Sequence, residues 1–241
     1  MTAPETFEID LDDVGTFVAL GGTYAAHHRR EVPPRWPILW TVPRASVVPE
    51  GEPVRIPPGI DRVEPGTELV AVLDEPLWRA DADEAAAAVR GFTVSNDAKT
   101  MGEFPGYPYP DMDPETDDPV GRGFHLMPTF SPTLTEGVAL APSDVADRAV
   151  ETYVDGERVV ASSTAEMAWS VGEMLAHVSR VLRLEPGDLV SLGDPAFPGA
   201  YLEDAEEVVC RIEGVGELSN PVVVGDGRGA DAPGRPTTDG C

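Results

Sequence analysis

The sequence has few cations, few cysteines and no long apolar runs. Its 241 residues carry 17 basic and 43 acidic side chains, for a net charge of −26, and Lys99 is the only lysine. Nucleic acids and anionic membranes bind basic patches, so a chain this acidic is expected to bind neither. The two cysteines, Cys210 and Cys241, are too few for a disulfide framework, which predicts a reducing, cytoplasmic location.

Hydrophobic segments are short throughout the chain. The run LVAVL at 69–73 is far below the ~18 residues that a membrane-spanning helix needs. The first residues, MTAPETFEIDLDD, are acidic and lack the apolar stretch of a signal peptide. We therefore expect neither a membrane span nor an export signal.

The excess of carboxylates is itself a physical constraint. Like charges at this density repel one another and destabilise a compact state in dilute buffer. Molar salt shortens the Debye length to roughly 3 Å and screens that repulsion. The composition therefore favours a salt-adapted, halophilic protein, and the alternative is an acidic cytoplasmic protein with no salt requirement.

Glycine and proline, with 24 and 25 residues, divide the chain into short elements joined by turns. Ser170 and Glu173 form a capping box at the start of the clearest helix, and Asp155-Gly156 is typical of a type I′ hairpin turn. The pattern predicts a β-rich α+β single domain with a few short helices. The predicted strands are 16–21, 67–73, 91–97, 188–192, 205–213 and 217–224, with a hairpin at 149–162 and helices at 82–90 and 171–182.

Composition also suggests where the domain begins and ends. Residues 1–15 form an acidic N-terminal segment, 16–225 one domain, and 226–241 a tail with no hydrophobic pattern that is expected to be disordered. Within the domain, 102–121 is rich in proline and carboxylates, which excludes a helix or a central strand. A surface loop of this length is often a functional lid.

Two carboxylates stand out by their positions. Glu68 opens the buried strand and Asp97 ends the segment GFTVSND. Burying a lone charge costs several kcal/mol, so each needs a partner, and a divalent cation with oxygen ligands is one. The alternative is that both lie at strand ends and face water. His27 suits proton transfer near neutral pH, although a surface position is the default for such a residue.

The order of several segments resembles the fumarylacetoacetate hydrolase family. GGTYAAHHRRE is similar to G-x-N-Y-x-x-H-x-x-E, GTELVAVL to E-x-E-L-A-V-V-I, and GFTVSND to G-Y-T-x-x-N-D. GRGFHLMPTFSP is similar to G-K-x-F-D-x-x-x-P-x-G-P, and VVCRIEGVGELSNPVV to I-x-G-x-G-x-L-x-N-P-V. These pieces follow one another in the family's order from about residue 16 to residue 224.

The resemblance implies a mixed β-roll or sandwich, a bound Mg²⁺ or Mn²⁺ ion and a homodimer. It implies a small-molecule substrate such as a 2-oxo acid, an acylpyruvate or a 2-hydroxy-dienoate. Reactions of this class pass through an enolate-like species. Hydrolysis of a C–C bond, decarboxylation and isomerisation all stay open.

The family's metal ligands are carried over incompletely. Its second metal glutamate falls on Glu68 and its aspartate on Asp97, but its first glutamate falls on Gly66, which has no side chain. The resemblance therefore implies a weakened metal site. Its Ser-Ala-Arg-Asp run begins at Lys99, and nothing of that run is preserved.

Other site positions are kept in part. The catalytic histidine falls on His27, but its glutamate partner falls on Arg30. The family's lysine falls on Arg122, which keeps the charge and is expected to meet the substrate carboxylate. Asp194 falls on the threonine of another family segment, G-T-P. Tyr24 and Asp194 are both expected to contact substrate. These departures leave two alternatives, which are a divergent metal-assisted enzyme and a catalytically impaired binding or scaffold protein.

Overall fold

The computed structural model describes residues 4–27, 36–43, 46–56, 62–100, 131–195 and 199–225. Within these ranges the chain forms sixteen strands and two α-helices. The strands are β1 Thr6–Glu8, β2 Phe17–Gly21, β3 Ile38–Thr41, β4 Val47–Pro49, β5 Val54–Ile56, β6 Val63–Glu64, β7 Thr67–Leu73, β8 Val89–Asn96, β9 Lys99–Thr100, β10 Ser131–Thr133, β11 Glu136–Val138, β12 Ala149–Val154, β13 Glu157–Ser163, β14 Leu189–Ser191, β15 Glu207–Ile212 and β16 Gly216–Val224.

A nine-stranded mixed sheet forms the larger layer. Its strands run in the order β1-β11-β8-β7-β14-β2-β3, and β10 joins it by pairing with both β8 and β4. Strand β7 is buried along its whole length. Leu69 and Ala71 face one core and Val70 and Val72 face another, because successive side chains of a strand point to opposite faces. Burial on both faces explains the uninterrupted apolar run in this part of the sequence.

The second sheet has five strands in the order β13-β12-β15-β16-β5. Its first two strands form the predicted hairpin, and Asp155 and Gly156 both have positive φ, of 49° and 79°, as a type I′ turn requires. This sheet packs against the larger one. Val150 of β12 and Leu218 of β16 lie in the same core as Leu69 and Val94 of the larger sheet.

Two short helices cover one side of this core. Helix α1 spans Ala82–Ala87 and is capped by Asp81, and α2 spans Val171–Ser179 with the predicted capping box of Ser170 and Glu173. Both predicted helices are thus confirmed, each a few residues shorter than expected. At the end of α1 the chain turns directly into β8, which starts at Val89.

The predicted fold class is confirmed, since the described chain is rich in strands and has few short helices. The division into 1–15, 16–225 and 226–241 stays a prediction, and both the loop 102–121 and the tail lie outside the described residues. Within the described ranges, no helix is both long and apolar enough to cross a bilayer.

Replacing Gly172 tests the close packing of the two helices. A Cβ at this position in α2 would overlap the carbonyl oxygen of Ala82 in α1. Helix propensity alone favours alanine over glycine by about 1 kcal/mol. The steric conflict is larger, so we expect Gly172→Ala to lower the free energy of unfolding by about 1–3 kcal/mol in urea denaturation. The control variant Ala87→Gly, at an exposed position of α1, measures the difference in helix propensity alone. A gain in stability for Gly172→Ala would contradict the close packing of the helices.

Candidate active site

The site lies where the ends of three neighbouring strands meet. Strand β7 is antiparallel to both β8 and β14, so the start of β7 lies beside the ends of the other two. This arrangement brings Glu68, at the start of β7, close to Asp97, just after β8, and to Asp194, three residues after β14. The pair β6–β9 adds a small antiparallel ladder at this edge, with Glu64 opposite Lys99.

Glu68 is a buried carboxylate, 1% exposed. The hydroxyl of Ser191, on the adjacent strand β14, donates a hydrogen bond to its Oε2. Burial raises the pKa of Glu68 well above its ordinary value, and the negative charges of Asp97 and Asp194 raise that pKa further. The side chain therefore holds a proton at a higher pH than an exposed glutamate does.

An ammonium group lies among these carboxylates. Lys99 is 2% exposed, and its Nζ donates a hydrogen bond of 2.8 Å to Oδ2 of Asp194 and lies 3.7 Å from Oδ2 of Asp97. Burial alone would lower the pKa of Lys99, but the charges of Asp194, Asp97 and Glu68 outweigh it and hold the pKa above its ordinary value. The lysine is therefore a fixed positive charge in the site.

The Lys99 ammonium lies beside Gly66. A Cβ built on Gly66 would be 2.8 Å from Nζ of Lys99, 2.9 Å from the carbonyl oxygen of Asp97 and 3.3 Å from Oδ2 of Asp194. The Gly66 backbone is held by two hydrogen bonds, from its N–H to Asn96 Oδ1 at 3.1 Å and from the Asp97 N–H to its carbonyl at 2.8 Å. Any side chain at position 66 would compete with the ammonium for space.

Tyr24 borders the same cluster. It follows β2, which runs parallel to β14, so it emerges at the same sheet edge as Asp194. The ring is fully buried, and its hydroxyl has no hydrogen-bond partner within the described residues. Burial raises the pKa of Tyr24, as do the charges of Asp194 and Glu68. The phenol therefore stays neutral and can donate a hydrogen bond to a ligand.

The structure brings four of the six predicted site residues to one place, namely Tyr24, Glu68, Asp97 and Asp194. His27 ends a short 3₁₀ helix, Ala25–His27, that begins one residue beyond Tyr24, but its side chain is outside the described part of the chain, as is Arg122. The functional roles of all six stay predictions. The predicted site residues do not include Lys99, although a single lysine in the chain, two residues after Asp97, is a signal that points to it.

Residues 16–223 match the family described as Fumarylacetoacetate (FAA) hydrolase C-terminal, and the chain belongs to this family. Protein Rv2993c of Mycobacterium tuberculosis is 30% identical over 209 residues, 86% of this chain and 74% of the relative. The mitochondrial oxaloacetate tautomerase FAHD2B of Bos taurus is 30% identical over 218 residues, 86% of this chain and 66% of the relative. The predicted family membership is confirmed.

Solved structures share the fold. That of fumarylpyruvate hydrolase from Pseudomonas aeruginosa in complex with Mn²⁺ and pyruvate aligns with a TM-score of 0.72 and 26% identity, covering 93% of this chain and 97% of that chain. That of 2-hydroxyhepta-2,4-diene-1,7-dioate isomerase from Mycobacterium marinum aligns with a TM-score of 0.71 and 28% identity, covering 88% of this chain and 75% of that chain.

The described side chains do not fit a divalent ion as they stand. Such an ion needs several oxygen ligands at about 2.0–2.6 Å, and no cluster of three or more His, Cys, Asp or Glu side chains within the described ranges could hold one. Gly66 offers no ligand, and the positive charge of Lys99 already lies against Asp97 and Asp194. The roles of Glu68 and Asp97 as metal ligands stay predictions.

Neutralising Glu68 tests the cost of its burial. A carboxyl with a raised pKa binds more protons in the folded than in the unfolded chain, so its contribution to stability falls as the pH rises above the ordinary value of 4.5. Glutamine has no such charge and keeps an acceptor for Ser191. We expect the stability of Glu68→Gln relative to wild type to increase as the pH is raised above the ordinary value of 4.5, as measured by urea denaturation.

The control for this experiment is Glu157→Gln, at an exposed position at the start of β13, which removes the same formal charge. It measures the stability gained when any one negative charge is removed from a strongly acidic chain. An equal increase with pH in both variants would contradict a specific cost at Glu68.

Proposed function

We propose that the chain is an enzyme that acts on a small 2-oxo acid, an acylpyruvate or a 2-hydroxy-dienoate through an enolate-like intermediate. Family membership over residues 16–223 supports this proposal. The observation that carries it is the buried cluster of Tyr24, Glu68, Asp97, Lys99 and Asp194 at one sheet edge. Buried ionisable groups that converge in this way are costly, and they occur preferentially at functional sites.

The reaction requires removal or delivery of a proton beside a carbonyl group. We assign that proton transfer to His27, the histidine that falls on the family's catalytic position. Negative charge then develops on the carbonyl oxygen, and a preorganised hydrogen-bond donor stabilises it. The hydroxyl of Tyr24, which has no hydrogen-bond partner among the described residues, is such a donor. Arg122 is assigned to the substrate carboxylate because its planar fork matches that group.

Asp194 is given a different role from the one its sequence position suggested. Its carboxylate accepts a hydrogen bond from Lys99 and so orients that ammonium. Its contact with substrate stays a prediction beside this role. Mg²⁺ or Mn²⁺ at Glu68 and Asp97, which the resemblance implies, stays a prediction, and no step of the proposed reaction is assigned to it.

The alternative of a binding or scaffold protein finds no support among the relatives with assigned activities. The tautomerase, the isomerase and the fumarylpyruvate hydrolase named above are all enzymes that act on oxo acids or their enol forms, as their names state. Hydrolysis, decarboxylation and isomerisation share an enolate-like species, so all three stay within the proposal.

Three further properties belong to this proposal. A cytoplasmic location rests on the low cysteine content, and a homodimer rests on the family resemblance. Adaptation to high salt rests on the net charge of −26. Because repulsion between two such acidic subunits opposes their contact, salt is expected to promote both folding and dimer formation.

Replacing His27 tests the assigned proton transfer. General acid–base catalysis contributes about 10²–10⁴-fold, so we expect His27→Ala to lower kcat by that factor. The assay follows loss of the enol absorbance of oxaloacetate and of acylpyruvates in molar KCl. The matched control is His177→Gln, since His177 lies on α2, stacks on Trp36 with ring centroids 5.2 Å apart and takes no part in the proposed reaction. Equal activity in the two variants would contradict the assignment to His27.

Salt dependence tests the interpretation of the acidic surface. Raising KCl from about 0.1 M to about 1 M shortens the Debye length from about 10 Å to about 3 Å. We expect the Tm to rise over this range and the dimer fraction in sedimentation experiments to increase. A Tm that stays constant or falls would support the acidic protein without a salt requirement.

A further inference from the structure

Three departures from the family pattern meet at one point. Gly66 stands where the pattern has a metal-binding glutamate, Lys99 where it has a serine, and Asp194 where it has a threonine. These positions are far apart in the sequence, on different strands or loops. In the structure the Lys99 ammonium donates a hydrogen bond of 2.8 Å to Oδ2 of Asp194, and it lies where a side chain at position 66 would begin, since a Cβ added to Gly66 would be 2.8 Å from its Nζ.

Each of the three departures is compensated by the other two. The missing side chain at Gly66 leaves the space that the ammonium needs. The extra carboxylate of Asp194 supplies a hydrogen-bond acceptor and a negative charge for a lysine that is 2% exposed. Without such a partner, burying the ammonium would cost several kcal/mol. The three residues therefore form one unit rather than three separate losses.

The ammonium also lies close to the carboxylates that stand at the family's metal-ligand positions. The carboxylates of Glu68 and Asp97 remain at the positions where the family pattern has metal ligands, and both act on Lys99 through their charges. Oδ2 of Asp97 lies 3.7 Å from Nζ. A divalent ion placed between these two carboxylates would meet the fixed charge of Lys99 at close range, which opposes its binding.

We propose that Lys99, held by Asp194 in the space left by Gly66, is the resident cation of the site and replaces the divalent metal ion. The site then needs no metal for its structure. In the reaction, a role of this ammonium in stabilising an enolate rests on the proposed function, whereas its position in place of a metal does not.

An ordinary structural ion pair is the alternative explanation. A simple pair would need only Lys99 and Asp194, and it would leave open whether Glu68 and Asp97 also bind a metal. The two explanations differ in a measurable way. The proposal requires that the wild-type chain does not bind Mn²⁺ at this site, and that removing the ammonium creates an affinity for it.

The experiment is calorimetric titration of Mn²⁺ into the purified full chain in molar KCl, where weak binding to the acidic surface is screened. Four proteins are compared, namely wild type, Asp97→Ala, Lys99→Ser and the double variant Gly66→Glu/Lys99→Ser. The control Arg211→Ser removes one positive charge from an exposed position on β15, and it shows the effect of net charge alone. Far-ultraviolet circular dichroism and the Tm, with and without Mn²⁺, establish that each variant is folded.

We expect no saturable heat for wild type, Asp97→Ala or Arg211→Ser. The double variant, with a glutamate at the family's first metal-ligand position and no ammonium, should bind one Mn²⁺ ion at least about tenfold more tightly than wild type, and Mn²⁺ should raise its Tm. The Gly66→Glu substitution requires a small backbone shift, since a Cβ at this position meets the Asp97 carbonyl oxygen at 2.9 Å. The single variant Lys99→Ser avoids that shift but lacks the added glutamate. We therefore expect it to bind Mn²⁺ more tightly than wild type, by a smaller factor than the double variant.

Two results would overturn the proposal. One is saturable binding of a single Mn²⁺ ion by wild type that Asp97→Ala abolishes. The other is that folded Lys99→Ser binds Mn²⁺ no better than Arg211→Ser. These experiments measure binding and not turnover. A result that overturns the role of Lys99 therefore does not contradict the proposed reaction class, and an absence of turnover does not contradict the role of Lys99.

Discussion

The buried hydrogen bond between Lys99 and Asp194 is the interaction on which the site depends. It joins β9 to the segment after β14, and it places a positive charge among carboxylates that would otherwise repel one another in a region of low dielectric constant. Glu68 and Asp97 are tolerated at 1% and 6% exposure because this charge lies beside them. The rigid strands β7, β8 and β14 supply the geometry, and the lysine supplies the electrostatic balance.

Most of the fold follows from local signals in the sequence. The run 67–73 predicted a buried strand, Asp155-Gly156 predicted the hairpin turn, and Ser170 with Glu173 predicted the start of α2. These signals are local because turn geometry and helix capping depend on neighbouring residues. The order of strands within the sheets is not local, and no signal in the sequence predicted it.

The contacts within the site were harder to predict from such local signals. Glu68 and Asp97 could be singled out because they flank apolar strands, but the partner of a buried charge can come from any part of the chain. Lys99 and Asp194 are 95 residues apart, and the pairing of β7 with both β14 and β8 brings them together. In the sequence Gly66, Lys99 and Asp194 are therefore separate departures from a pattern, whereas the structure pairs Lys99 with Asp194 in the space beside Gly66.

The chain uses arginine for every other basic side chain, so its one primary side-chain amine lies inside the site. In the folded protein this amine is almost fully shielded, at 2% exposure, and it is held by its carboxylate partners. Acylating reagents can therefore reach it only when the strands around it open. The rate at which Lys99 is acylated would report the opening of this one region, because no other lysine side chain reacts elsewhere on the acidic surface.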